Sequence, residues 1–468
     1  MLHRLDRSYL RPAAAALGLL CVFVVACETR ADEPEWHVGL ARVKITPEEP
    51  IAMSGYGRRV SEGVLDDLHA KAVVLKDSHG QRALLVTADL LFFRAPFAEV
   101  LCKQIGGKTG LKRHEIQLNA SHTHSGPVFG VRDPDRFELT DQQRQVVDAY
   151  TEKLRGQLVD LVEAAIADSS PARLSWGKGN AGEFVMNRRL IDEHGKCRGM
   201  GPNPQGPVDR DVPVLRIDRP DGRLRGIVFG CACHCVTLDG HNRRISGDYA
   251  SFAQRFIEKC HPAVQALFVA GCGADANTHP RGGPKQIELV HQHGETLGQE
   301  VCRVAASPLA PIRSPMRVQL KWTDLPLEQF SSREQLEKIA NSGSYWHTRN
   351  AKGLLAILER GDSLPQHYRA PISLWQFGDD LTLVGLPGEA GADYVTMLRS
   401  ALGPERWWIA AYSNESFGYL PTTKILAEGG HETIGLTLDI GLFAPGVEDV
   451  VVATVRELAR ESGRKSPK

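Results

Sequence analysis

No surplus of charge of either sign runs through these 468 residues: Lys and Arg total 56, and so do Asp and Glu. A chain without a net field does not gather nucleic acid or anionic membrane electrostatically, so polyanion binding is a poor first guess. Internal repeats, low-complexity tracts and sustained heptads are also missing, which sets aside solenoids, disordered linkers and coiled coils. The ten cysteines lack the dense spacing of a small disulfide-stapled domain. What remains is ordinary: 42% apolar and 24% charged residues suit a globular chain with a sizeable core. Its length fits two domains or one large enzyme domain.

The N-terminus stands apart. Arg4, Arg7 and Arg11 precede an apolar run at residues 13–26, the order of a secretory signal. The run is too short to span a membrane comfortably. It ends Val24-Val25-Ala26-Cys27, which resembles the bacterial lipoprotein signal, whose cysteine becomes the lipidated first residue. Thr29-Arg30-Ala31 is a weaker site for ordinary cleavage. Residues 1–31 are therefore expected to direct export to the periplasm or cell surface, with Cys27 as the candidate lipid anchor and membrane attachment.

The rest alternates strand and helix patterns. Strands are predicted at 38–45, 115–118, 174–177, 266–270, 316–322, 372–377 and 381–386. Hairpins are predicted at 68–75 with 83–88 and at 212–217 with 224–235. Helices are predicted at 96–106, 141–167, 247–259, 284–306, 333–341, 351–360, 390–402 and 447–459. Three prolines between 308 and 315 mark a candidate internal boundary. The fold class is mixed α/β (α+β), a layered sandwich of mixed sheets flanked by helices, spanning 36–462, with a site at strand ends. In Cys231-Ala232-Cys233-His234-Cys235, alternation puts the three thiols on one face and His234 on the other. That spacing reads as small apolar core residues and not as a thiolate metal site.

Four polar clusters follow apolar runs. The first is Asn119-Ala120-Ser121-His122-Thr123-His124-Ser125-Gly126-Pro127, where period-two alternation would point both imidazoles the same way. Neutral imidazole is a common zinc ligand, although a bare His-x-His is more often two loop residues. The second is His234, followed by Ser246-Gly247-Asp248; alone it reads equally as a satisfied core histidine. The third, Leu386-Pro387-Gly388-Glu389, places a glutamate where a first helical turn often carries one for its dipole. The fourth is the loop 412–423 with Tyr419, ordinarily a packing aromatic.

In this order, with the opening Gly39-Leu40-Ala41-Arg42-Val43-Lys44-Ile45-Thr46-Pro47, these segments resemble the neutral ceramidases, zinc amidases that cut the N-acyl bond of ceramide. The resemblance covers residues 38–432. It implies His122, His234, Glu389 and Tyr419 as zinc ligands, His124 facing the substrate amide, and Arg188 beside it for the developing oxyanion. Nitrogen and oxygen ligands suit zinc, and zinc lowers the pKa of bound water to about 7.

Three features depart from the family pattern. Where ceramidases carry a serine proposed to act in catalysis, this chain has Asp275, in Gly271-Cys272-Gly273-Ala274-Asp275-Ala276-Asn277-Thr278. Zinc-bound water is then the expected nucleophile. Counting on from Tyr419 to the family's second tyrosine reaches His431, which still donates a hydrogen bond but is titratable. No immunoglobulin-like C-terminal domain is expected within the chain. The expectation is an exported zinc amidohydrolase acting on a lipid-like N-acyl amide. The alternatives are a metal hydrolase of another amide or ester on the same scaffold and a catalytically silent protein that binds lipid or glycan.

Overall fold

Strands buried on both faces set the architecture. His69–Asp77 and Ile116–Ala120 carry one exposed residue between them, Lys76, as a sheet covered on both sides requires. The computed structural model describes residues 35–130, 138–330, 332–342, 345–403, 406–434 and 441–464. In it these strands belong to a nine-stranded mixed sheet. The order is Gln265–Ala270, Leu224–Cys231, Asp211–Asp218, Ser170–Asn180, Trp36–Lys44, His69–Asp77, Arg82–Ala88, Ile116–Ala120; Ala310–Ile312 adds to Ser170–Asn180. Pairing is parallel only at the two ends, between Leu224–Cys231 and Gln265–Ala270 and between Arg82–Ala88 and Ile116–Ala120.

A second sheet runs Met316–Pro326, His367–Phe377, Leu381–Gly385, Trp407–Ala410. Trp36, Val73 and Leu85 of the first sheet share one buried cluster with Val318, Trp375 and Trp408 of the second. The sheets therefore stack face to face. Helices cover the outer faces: Ala95–Thr109 and Asp141–Ala167 pack with Leu84 and Val86. Asp248–Cys260, Gln286–Ala306, Ala392–Leu402 and Val447–Glu461 pack with Phe229, Phe268, Leu374 and Val384. This is the layered α/β sandwich that the sequence pattern predicts.

Helix Asp141–Ala167 has its predicted bounds. Val147, Tyr150, Leu154, Leu158, Leu161 and Ala165 fall on its buried face, a three-and-four spacing that makes one stripe. Thr140 and Gln143 close its start as a capping box, with bonds of 3.3 and 2.9 Å.

Two predicted elements differ. The strand expected to reach 235 stops at Cys231, because Ala232–Cys235 turn away from the ladder toward other loops. Cys231, Cys233 and Cys235 still share one apolar core and are free thiols. Glu389, expected in a helical turn, lies in the short strand Glu389–Ala390, paired in parallel with Tyr419–Leu420; the helix starts at Ala392. In the proline-rich segment, Ala310–Ile312 pairs antiparallel with Ser170–Asn180. The expected export signal lies outside the described residues. Among those described, no helix is long and apolar enough to cross a membrane.

Candidate metal centre

The edge strand Ile116–Ala120 delivers the chain to the site, and the extended backbone then breaks. His122 has φ 64°, a left-handed conformation uncommon outside glycine. Strand alternation thus does not explain why His122 and His124 meet; this turn does. It sets their rings edge to face, with centroids 4.8 Å apart and Nε2 atoms 3.1 Å apart. Backbone bonds fix it: Ser121 N–H donates to Ala88 O at 2.9 Å, His122 N–H to Leu90 O at 2.9 Å and His124 N–H to Cys235 O at 3.2 Å.

His234 stands in the loop beyond its strand. Its backbone N–H donates to Ala276 O at 3.0 Å, and its Nδ1 lies 2.8 Å from Gly273 O. Nδ1 of His122 lies 3.1 Å from Leu91 O. A ring whose Nδ1–H is given to a carbonyl offers its Nε2 lone pair to something else. Both Nε2 atoms face Oε2 of Glu389, at 3.2 Å from His122 and 3.3 Å from His234. Nε2 of His234 and Oε2 of Glu389 are buried without a hydrogen-bond partner among the described residues. Each orphaned atom would cost about 1–3 kcal/mol. A bound cation removes that cost, and two nitrogens with a carboxylate oxygen form a donor set for a divalent metal. His124 belongs to the group as well: the ligand atoms of His122, His124 and His234 all lie within 4.8 Å of one another.

Burial pushes His234 down to about 3, with the Arg188 charge adding to it. Burial and the neighbouring rings hold His124 well below the ordinary histidine value. For Glu389 burial works against the charge, but His122 and His234 outweigh it and hold the carboxyl well below its usual range. At neutral pH His124 and His234 are therefore neutral imidazoles and Glu389 is a carboxylate.

Tyr419 is the register partner of Glu389. Its hydroxyl accepts a hydrogen bond from Arg188 Nη2 at 2.9 Å. Arg188 also donates to Glu432 at 2.9 Å and to Asn277 Oδ1 at 3.2 Å. Burial opposes the Arg188 charge, yet Tyr419 and Glu432 outweigh it. A cavity of about 630 Å3 is lined by His122, His124, Glu389, Tyr419 and His431 together with Met53, Leu91, Phe92, Leu139 and Ile434, among others. Arg188 and His234 do not line it. Arg188 meets the cavity lining through the Tyr419 hydroxyl, with its guanidinium 5.8 Å from that ring's centroid. The His431 ring meets the Tyr419 ring edge-on at 5.4 Å.

A protein-family model described as neutral/alkaline non-lysosomal ceramidase, N-terminal, matches residues 36–326. The chain belongs to this family. Neutral ceramidase A of Dictyostelium discoideum is 24% identical over 289 residues, 57% of this chain and 40% of that protein. Neutral ceramidase of Drosophila melanogaster is 22% identical over 264 residues, 53% of this chain and 34% of that protein. The matched segments thus span about two fifths or less of these relatives. The crystal structure of neutral ceramidase from Pseudomonas aeruginosa superposes with a TM-score of 0.70 at 18% identity, covering 93% of this chain and 77% of that one. The likeness at that identity is one of fold.

This family member builds the centre with residues that the sequence pattern did not single out. Tyr412, at φ 51°, lies against His122 with ring centroids 4.5 Å apart and planes tilted by 30°. Tyr56 meets His124 edge-on at 4.9 Å. The buried Arg59 donates to the carbonyls of His124, Ser54 and Asn242 at 2.6, 2.7 and 2.7 Å, tying three loops together. Gly55 is obligatory there: its φ is +92°, and a Cβ would lie 2.5 Å from His124 Cγ. Two glycines around Tyr56 were the one available sequence signal. Glu432, which pairs with Arg188 and Arg189, gave none.

Asp275 turns away from the cavity. Its Oδ1 accepts the backbone N–H of Ala392 at 3.1 Å, at the start of the helix that follows Glu389. Its carbonyl accepts the Arg188 N–H at 2.8 Å, and Ala274 N–H donates to Ala390 O at 3.2 Å. The loop therefore ties together the segments bearing His234, Arg188 and Glu389.

Proposed function

We propose that this chain is a zinc-dependent amidase that hydrolyses the N-acyl bond of a ceramide-like lipid. One observation carries the reading: the unpartnered Nε2 of His234 and Oε2 of Glu389 face each other beside a largely apolar cavity that Glu389, His122 and His124 line. His122, His234 and Glu389 would hold the ion, with Tyr419 beside Glu389 as the fourth ligand and one position left for a reacting group. Zinc supplies Lewis acidity there and lowers the pKa of a water to about 7.

The remaining tasks fall to the chain itself. Met53, Leu91, Phe92 and Leu139 accept an acyl chain and exclude water. His124, neutral and at the cavity wall, donates to the amide oxygen as charge develops on it. Arg188 holds the Tyr419 hydroxyl by its hydrogen bond and supplies positive charge close behind. His431, lowered chiefly by burial, is neutral at pH 7; it can take up the proton that the attacking water loses and return it to the departing amine. Export, with Cys27 as a lipid anchor, would place this activity outside the cytoplasm.

The test is elemental analysis of purified protein, then turnover of a fluorescent ceramide with and without chelator. Expected are about one zinc per chain and chelator-sensitive release of fatty acid. Metal-free protein with undiminished turnover would overturn the reading.

A further inference from the structure

Two cysteines stand apart from the core thiols. Cys260 ends the helix Asp248–Cys260 and is exposed, and Cys302 lies half-buried in the helix Gln286–Ala306. The two helices approach closely at glycines. A Cβ built on Gly294 would lie 2.4 Å from the Cβ of Phe252, and one built on Gly298 would lie 3.0 Å from the Cβ of Phe256. Each step is four residues on both helices, so they run side by side, in one direction and in register. The next rung pairs Cys260 with Cys302. On the widening trend of the first two rungs its Cβ atoms fall close to ~3.8 Å apart, the separation a disulfide spans. Burial pushes the Cys302 thiol up to about 11, with the charge of Cys260 and a hydrogen bond between the two side chains adding to it. The other described cysteines have no such partner within an oxidant's reach. Cys102, Cys231, Cys233, Cys235 and Cys272 are buried, and the Cys197 thiol donates to Gly199 O at 3.6 Å.

What this pair fastens lies behind the metal centre. Tyr249, in the first turn of the earlier helix, donates its hydroxyl to Cys233 O at 2.8 Å, one residue before His234. Gln286, at the start of the later helix, accepts the Asp239 N–H at 2.8 Å, and His293 Nε2 lies 2.8 Å from Pro280 O. The two helices thus hold the chain on both sides of His234. They also flank in sequence the loop 271–278, whose Gly273 carbonyl orients that imidazole.

We infer that Cys260 and Cys302 form a disulfide that staples these two helices when the protein meets an oxidising disulfide, small or protein-borne. The exposed Cys260 reacts first, as its thiolate. It attacks the oxidant's S–S bond, forms a mixed disulfide and releases one thiol of the oxidant. Cys302 no longer faces a charged neighbour once Cys260 is bonded. It gives up its proton, attacks the Cys260 sulfur and displaces the second thiol. The protein loses two electrons and two protons, and the oxidant leaves as two thiols. The bond closes a loop that contains residues 271–278, so it removes freedom from the unfolded chain. The staple does not depend on the amidase reading.

The experiment incubates the purified full chain with oxidised glutathione, quenches it in acid, alkylates the remaining thiols and maps the peptides. A parallel sample is kept reduced with a phosphine. Expected are a linked peptide pair joining Cys260 to Cys302 and a Tm about 5 °C above that of the reduced protein. Cys302→Ser should stop at the mixed disulfide and hold one glutathione on Cys260. In Cys260→Ser the half-buried Cys302 should take up glutathione more slowly. Neither variant should gain Tm on oxidation. The peptide map of the unaltered chain decides the matter even where a variant folds poorly. Cys260 and Cys302 both alkylated after oxidation would overturn the inference. So would a link made by other cysteines or between two chains, or a Cys260–Cys302 link that leaves Tm unchanged.

Discussion

Nε2 of His234 stands 3.3 Å from Oε2 of Glu389, and both atoms are acceptors. The Nδ1 of His234 is spent on the Gly273 carbonyl, so the proton cannot also be on Nε2 of a neutral ring. A carboxylate oxygen has none to give either. Two lone pairs at this separation repel unless a cation lies between them, and His122 aims a third at the same point, 3.2 Å from Glu389. The group could therefore hold a cation.

His234→Ala and Glu389→Ala should each lose most of the bound metal, measured by elemental analysis after dialysis. The carbonyls of Leu91 and Gly273 orient the imidazoles and cannot replace them. Full zinc occupancy in a His122→Ala, His234→Ala double variant would sink the assignment.

In this scheme His124 acts on the substrate directly, and Arg188 acts by holding Tyr419, the proposed fourth ligand. Their alanine variants should keep most of the metal, which His122, His234 and Glu389 still hold, and lose turnover, by roughly a hundredfold or more for His124, the scale of one lost oxyanion donor. Because the three histidines are grouped so closely, loss of metal from His124→Ala would move that residue into the ligand set.

The sequence made the layers legible where burial is periodic. Asp141–Ala167 was readable to the residue because its apolar stripe and the Thr140 cap agree. The site was legible as residue types in order, since His-Thr-His, Glu389 and Tyr419 each follow an apolar strand. Their convergence was not. It depends on left-handed backbone at His122 and on the parallel pairing of Glu389 with Tyr419, and neither has a local pattern. Arg59 and Glu432 were invisible for the same reason, because a buried arginine is defined by carbonyls and carboxylates far away in the chain.

Burial sets a pH dependence that can be measured without metal. His234 falls from the ordinary 6.5 to about 3 in the fold. Above pH 6.5 both folded and unfolded chains are neutral there, and this group contributes no slope. As pH falls, the unfolded chain takes up the proton first, so stability is lost progressively from 6.5 toward 3. Urea unfolding of metal-free protein should show a loss on the order of 2 kcal/mol from this group between pH 7.5 and 5, at about 1.4 kcal/mol per pH unit. His234→Asn keeps a donor for Gly273 O and removes the titration, so its slope should be shallower. An equal or steeper slope would mean that other groups set the acid limit.

The last prediction concerns Asp275, which occupies the place where the family resemblance would set a serine. Its Oδ1 receives the Ala392 N–H at 3.1 Å and its Oδ2 lies 3.5 Å from Asn187 Nδ2. A carboxylate engaged in this way caps the helix after Glu389 and is turned from the cavity. It is a poor nucleophile in that position, although burial raises it to about 6 and leaves it mostly ionised at pH 7. Asp275→Asn retains an acceptor for Ala392 and should keep metal affinity and turnover within a few-fold. Asp275→Ala removes the cap, at a cost of about 1 kcal/mol, and should loosen metal binding because Glu389 lies three residues before Ala392. Mass spectrometry of enzyme quenched during turnover should find the protein unmodified. An acyl adduct on Ser121, Ser125, Cys272 or Asp275 would replace water with a side-chain nucleophile. So would a collapse of turnover in Asp275→Asn with metal content and pH profile unchanged, because a capping role alone leaves the asparagine variant active.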